Sequence, residues 1–178
     1  MPQPSLTRSA DSALVIIDIQ ERLAAVMPER EAVIRKAGIL VEAAARLGVP
    51  VIVTEQYPKG LGPTAPELAA SLPAEAVRVE KTAFSACDSL PLTRPQVVIA
   101  GMEAHVCVLQ TALELVAAGR EVFVVADAVC SRAGANSANA LTRLQMAGVV
   151  ITNTESVVFE WLRDANHQHF RDLSKLIR

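Results

Sequence analysis

Aromatic residues are scarce: one Trp, one Tyr and four Phe in 178 residues. A core without large rings is built from Ala, Val and Leu, which predicts helices packed closely on a sheet. Long apolar runs are missing too. The longest, such as "ALVII", fall far short of the ~20 residues needed to cross a bilayer, so no membrane partner is expected. No block of like charge occurs, and 17 Lys and Arg against 19 Asp and Glu leave a net charge of −2. Such a chain has no track for a phosphate backbone, so nucleic acid is not an expected partner either. The three cysteines, Cys87, Cys107 and Cys130, form no Cys-x-x-Cys pair. That argues against a disulfide framework or zinc knuckle and suits a reducing cytoplasm. The opening "MPQPSLTRSAD" has no apolar stretch of the secretory kind. There is no G-x-G-x-x-G after the first strand, no P-loop, no G-x-S-x-G elbow and no His-rich or EF-hand metal cluster. No histidine precedes His105, so a base drawn from residues 1–104 is something other than imidazole.

What is present reads as one α/β domain spanning residues 1–178, long enough to bury roughly 70% of the surface of its unfolded form. Short β-branched runs at 13–18, 49–54, 97–101, 121–127 and 148–152 have the character of strands buried on both faces. A more polar run at 76–81 fits nearer an edge. Helix-period stretches between them close on Gly48, Gly119 and Gly148. Strand, helix, glycine, strand is the rhythm of right-handed βαβ crossovers, which predicts a mostly parallel sheet with helices on both faces. The Pro- and Gly-rich stretch 55–73 reads as a long connection with one short helix at 65–71.

In such sheets ligands bind at the carboxyl ends of the strands, and this selects Asp18, Lys81, Gly101 and Asp127. Asp18 follows an apolar strand and needs a cation or several donors there, or else caps the next helix. Lys81 closes the polar strand, either as a solvated edge charge or facing Asp18. Cys107 follows a glycine turn and falls in or near the first turn of an apolar helix. There, free N–H groups and the helix dipole favour thiolate and can receive an oxyanion; the alternative is a small buried hydrophobe. His105 stands two residues from Cys107, about 200° around a helix, so it packs or orients the turn rather than acting as base. His167 and His169 lie in an amphipathic C-terminal stretch and read as surface residues.

The segments "ALVIIDIQERL", "VEKTAFSA" and "VVIAGMEAHVCVLQTALEL" together resemble the isochorismatase-like cysteine hydrolases, in family order and with spacings of 63 and 26 residues between Asp18, Lys81 and Cys107. "TEQYPKGLGPT" and "AHVCVLQT" are similar to the isochorismatase domain-containing subgroup. The resemblance implies a three-layer α/β/α Rossmann-like domain with six strands in the order 3-2-1-4-5-6. It implies an Asp-Lys-Cys triad: Asp18 as general base and later acid, Lys81 electrostatic, and Cys107 forming a thioester. It also implies a cis peptide between Met102 and Glu103 that aims the N–H of Glu103, with that of Cys107, at the oxyanion.

Departures from relatives narrow the expected substrate. Nicotinamidases of the superfamily hold a metal through an Asp and histidines after the second strand, and "EQYPKGLGPTAPE" has no histidine. True isochorismatases have glycine where Cys107 stands. The expectation is therefore a cysteine hydrolase acting on a C–N bond of a small amide, with no metal and no cofactor. The alternatives are an isochorismatase-type hydrolase, a non-catalytic protein retaining the fold, or a redox protein pairing Cys107 with Cys130 or Cys87. Gln20, Tyr57, Phe84 and Glu103 are candidate pocket residues, Phe84 with core packing as its alternative. The side chain of Glu103 is expected to point away from the thiol or to meet substrate. The apolar content, the helical tail and the resemblance together favour a homo-oligomer, a dimer or higher.

Overall fold

The computed structural model describes residues 6–177. Among these residues the strands are β1 (Ser12–Ile17), β2 (Val51–Gln56), β3 (Val77–Lys81), β4 (Gln96–Met102), β5 (Glu121–Cys130) and β6 (Val150–Thr152). They form one sheet in the order β3-β2-β1-β4-β5-β6. Every pairing is parallel, so the sheet expected to be mostly parallel is wholly so. The helices are α1 (Glu21–Ala24), α2 (Arg30–Leu47), α3 (Pro58–Leu61), α4 (Pro66–Ala69), α5 (Leu109–Ala117), α6 (Gly134–Met146), α7 (Thr154–Leu162) and α8 (Phe170–Leu176). None is long and apolar enough to cross a membrane.

The apolar runs are continuous because alternate residues serve opposite layers. Leu14, Ile16, Val53, Phe123 and Val125 pack against α2 and α7 on one face. Val15, Ile17, Ile52, Ile99 and Val124 pack against α5 and α6 on the other. Gly48, Gly119 and Gly148 take left-handed conformations just after α2, α5 and α6, which lets the chain turn directly into the next strand.

The chain builds β1, β2 and β3 outward in one direction and then returns to lay β4 on the other side of β1. The crevice at this change of direction opens at the carboxyl ends of β1 and β4, beside Asp18 and Met102. Gly101 lets the two strands close there. It pairs with Ile17 at φ 134, and a Cβ would collide with the Ile17 carbonyl.

Several boundaries differ from the sequence expectation. β2 continues through Gln56 and β6 is confined to three residues. The stretch 55–73 folds two short helices, α3 and α4, rather than one. β5 runs past Asp127 to Cys130, with a break in register: Ile99 pairs with Val124 but Gly101 with Val129. Asp127 sits in that irregular stretch rather than at the strand end. Its Oδ1 accepts from Thr154 N and Oγ1 at 2.8 and 2.9 Å, and Oδ2 lies 3.3 Å from Lys36 Nζ. It therefore ties α7 and α2 to the sheet.

Candidate active site

Asp18 turns the chain off β1 with φ 51, a left-handed conformation that Asp tolerates better than branched residues. Its side chain is fully buried. Oδ1 accepts the Thr54 hydroxyl at 2.7 Å and Oδ2 accepts Lys81 Nζ at 2.8 Å. It caps no helix, since α1 begins after Gln20. Lys81 is equally enclosed, its side chain 1% exposed. Besides Asp18, its Nζ donates to Gln56 Oε1 at 2.7 Å and to the carbonyls of Phe84 and Ala83 at 3.0 and 3.3 Å. An ammonium has three protons for such a cluster. The solvated-edge alternative is overturned: β3 does expose Val77, Arg78 and Glu80, but its last residue turns inward.

After β4 the Met102–Glu103 peptide is cis. The chain then winds through a π-helical turn, Ala104–Val108, and continues as α5. This is a wider opening turn than the regular helix its periodicity suggests, and such turns recur at functional sites. Cys107 lies within it, 5% exposed. The charges of Asp18 and Lys81 both bear on its thiol. Burial pushes the thiol up to about 12; the Asp18 carboxylate adds to this and Lys81 opposes it. This runs against the sequence expectation that the helix start favours thiolate: burial and the Asp18 charge act toward the protonated thiol, and Lys81 acts the other way.

Residues 12–156, from the start of β1 into α7, match the model of the isochorismatase domain. This chain belongs to the isochorismatase family. It is 38% identical over 174 residues to the zebrafish (Danio rerio) isochorismatase domain-containing protein 2, covering 93% of this chain and 86% of that one. A solved Caenorhabditis elegans structure named MAR1 ribonuclease superposes with a TM-score of 0.92 at 37% identity, over 97% of this chain and 92% of the other. YcaC from Pseudomonas aeruginosa, solved with hexane-2,5-diol and covalent acrylamide, gives a TM-score of 0.82 at 25% identity, over 99% and 98% of the two chains.

The remaining candidates of this isochorismatase-family chain divide into buried braces and exposed side chains. Glu103 is buried with its carboxylate turned to the segment after β5, accepting the Arg132 backbone N–H at 2.9 Å and pairing with Arg132 Nε at 3.1 Å. It acts on the Cys130 thiol, which burial first and then Glu29 and Glu103 push up to about 12. Gln20 is no pocket residue. It is fully buried, its Nε2 donating to the Gln56 and Gly62 carbonyls at 2.9 and 2.8 Å and its Oε1 accepting Gln56 N at 2.7 Å. It is a brace under the 57–62 loop, and its polarity there serves backbone rather than ligand.

Tyr57 and Phe84 are each 55% exposed, which removes core packing as the role of Phe84. Tyr57 lines a cleft of about 540 Å³ with Lys59, Glu80, Lys81, Thr82 and Ser89. His105 Nδ1 lies 2.9 Å from Ser131 Oγ and tethers the π turn to the segment before α6. His167 and His169 are half-buried neighbours in the tail, their rings 5.6 Å apart. All three cysteines are free, Cys87 half-buried and Cys130 buried. Among the described residues no three His, Cys, Asp or Glu side chains gather as a metal site requires.

Two members of the cluster, Thr54 and Gln56, escaped sequence reasoning. Thr54 passes for one more β-branched strand residue. The available signal was two polar residues at i and i+2 near the carboxyl end of a buried strand.

Proposed function

We propose that this chain is a cysteine hydrolase that cleaves the C–N bond of a small amide through a thioester on Cys107. The observation that supports the proposal most is the buried Asp18–Lys81 pair, 2.8 Å apart, whose charges bear on the Cys107 thiol. As the amide carbonyl arrives, the Cys107 Sγ attacks its carbon and the thiol proton passes to Asp18. Attack and proton transfer coincide, so no free thiolate has to accumulate at a thiol held near 12. The carbonyl oxygen, now negative, takes hydrogen bonds from the N–H groups of Glu103 and Cys107. Collapse breaks the C–N bond, and Asp18 returns its proton to the departing amine or ammonia. Water then attacks the thioester, giving a proton to Asp18. Collapse of this second intermediate releases the acid, and Sγ recovers the proton as thiol. Lys81 holds the Asp18 carboxylate in place and offsets negative charge as it moves between Asp18 and sulfur. These steps draw on the chain's own groups and one water molecule.

Covalent acrylamide on the Pseudomonas YcaC supports the proposal, since acrylamide is both a small amide and a trap for nucleophilic sulfur. Tyr57 and Phe84 are the proposed pocket residues, and the exposed apolar side chains Val26, Tyr57, Phe84 and Met146 favour a homo-oligomer, measurable by sedimentation. The Caenorhabditis relative is named a ribonuclease, but the mixed surface charge of this chain does not favour an RNA track. The test is release of amine or ammonia from a panel of small aliphatic and aromatic amides, with an RNA oligonucleotide as a parallel arm. Activity on amides that is lost in Cys107→Ala and Asp18→Asn supports the proposal. RNA cleavage without amide turnover overturns it, as does a reversible Cys107 disulfide formed with peroxide in place of any hydrolysis.

A further inference from the structure

Asp18 and Lys81 leave the sheet on strands that are not neighbours, because β2 lies between β1 and β3. The strand in between supplies the contacts that bring them together. Thr54 is in register with Ile17 and Gln56 with Lys81. Two residues apart, Thr54 and Gln56 point to the same face. Thr54 donates to Asp18 Oδ1 at 2.7 Å. Gln56 accepts Lys81 Nζ on Oε1 at 2.7 Å and donates from Nε2 to the Thr82 carbonyl at 2.6 Å. With a cation on one side and a carbonyl on the other, a single amide orientation satisfies both. Glu55, between them, faces the opposite way and accepts Thr64 N and Oγ1 at 2.8 and 2.6 Å. Gln20 grips both backbone groups of Gln56. The end of β2 is thus held on both faces.

We infer that Thr54 and Gln56 are positioning residues: Thr54 aims Asp18 at the Cys107 thiol and stabilises its ionised form, while Gln56 keeps Lys81 on the far oxygen of the same carboxylate. The inference rests on Asp18 serving as base to Cys107. Each carboxylate oxygen then has one fixed donor, Thr54 on Oδ1 and Lys81 on Oδ2, and a lone pair is left for the incoming proton. The charged or titratable groups that face Asp18 are Lys81 from β3 and Cys107 from the turn after β4. The Glu103 and Glu55 carboxylates are engaged elsewhere, with Arg132 and Thr64.

Thr54→Val keeps the shape and removes the donor. The ionised carboxylate loses a hydrogen bond, so the acid limb of the Cys107 reaction is expected to move to higher pH. Gln56→Leu removes the acceptor that holds the Lys81 ammonium against Asp18 Oδ2, so the cation supports the carboxylate less and the limb moves the same way. A role in packing alone would lower rates equally at every pH.

The experiment is the rate of Cys107 modification by acrylamide as a function of pH, read by peptide mapping on the full chain. Wild type, Asp18→Asn, Thr54→Val, Thr54→Ser and Gln56→Leu are compared, with folding checked by circular dichroism. The expected result is an acid limb that depends on Asp18, shifts upward in Thr54→Val and Gln56→Leu, and returns to the wild-type position in Thr54→Ser. If Thr54→Val does not fold, Thr54→Ala is read in its place. An unmoved limb in the Thr54 and Gln56 variants, beside a clear difference between wild type and Asp18→Asn, overturns this inference alone. Failure of wild type to react at Cys107, or equal reaction of Asp18→Asn, overturns the base role of Asp18 and the inference with it.

Discussion

Lys81 Nζ lies 2.8 Å from Asp18 Oδ2 with both side chains sealed from solvent, although the two residues sit on strands separated by β2. A buried pair is stable only while both members remain. Lys81→Met leaves the Asp18 carboxylate without its cation and is expected to cost about 3–5 kcal/mol in urea unfolding. Asp18→Asn combined with Lys81→Met is expected to cost less than the two single changes added together, because neither charge is then left alone. A loss under ~1 kcal/mol for Lys81→Met contradicts the enclosed pair.

The raised thiols make stability depend on alkaline pH. Cys107 and Cys130 are pushed from the usual 9.0 up to about 12, chiefly by burial. Between these values the unfolded chain has released each proton while the folded chain retains it. Unfolding is therefore favoured as pH rises, by about 1.4 kcal/mol per unit for each thiol. Urea midpoints measured from about pH 8 to pH 10 should fall once the unfolded thiols ionise, and Cys130→Ala should flatten the slope. An identical slope in that variant contradicts the prediction.

Much of the architecture was legible in the residues, because strands buried on both faces leave continuous β-branched runs and glycine marks the exit of three helices. The register break in β5 was not, since nothing local in "VVADAV" distinguishes a strand that stops at Asp127 from one that bulges and continues to Cys130. Asp18, Lys81 and Cys107 stood out by polarity at strand ends and by resemblance. Gln20 was misread because a buried amide that braces backbone looks the same in sequence as one that meets a ligand. The high proton affinity of Cys107 was hidden for a related reason: the helix start is local, whereas the desolvation that outweighs it comes from packing across layers.

Gly101 is expected to tolerate no side chain. With φ 134 and the Ile17 carbonyl against it, Gly101→Ala should lose about 3 kcal/mol or more, or fail to give soluble protein, since both strain and collision act at once. Wild-type stability in that variant would contradict the close approach of β1 and β4.

Gln20→Leu removes the partner of both Gln56 backbone groups and of the Gly62 carbonyl. The expected cost is about 2–4 kcal/mol, with faster amide hydrogen exchange concentrated in residues 56–64. Unchanged exchange there, measured by mass spectrometry, contradicts the bracing role.

The most direct measurement is the reaction with p-nitrophenyl acetate, an activated acyl donor whose leaving group is coloured. A nucleophilic Cys107 predicts a burst of p-nitrophenolate stoichiometric with protein, followed by slower turnover, and an acetyl group mapped to Cys107 that hydroxylamine removes. The burst should vanish in Cys107→Ala and weaken strongly in Asp18→Asn. A burst that persists in Cys107→Ala, or an acetyl group found elsewhere with Cys107 unmodified, contradicts a thioester at this site.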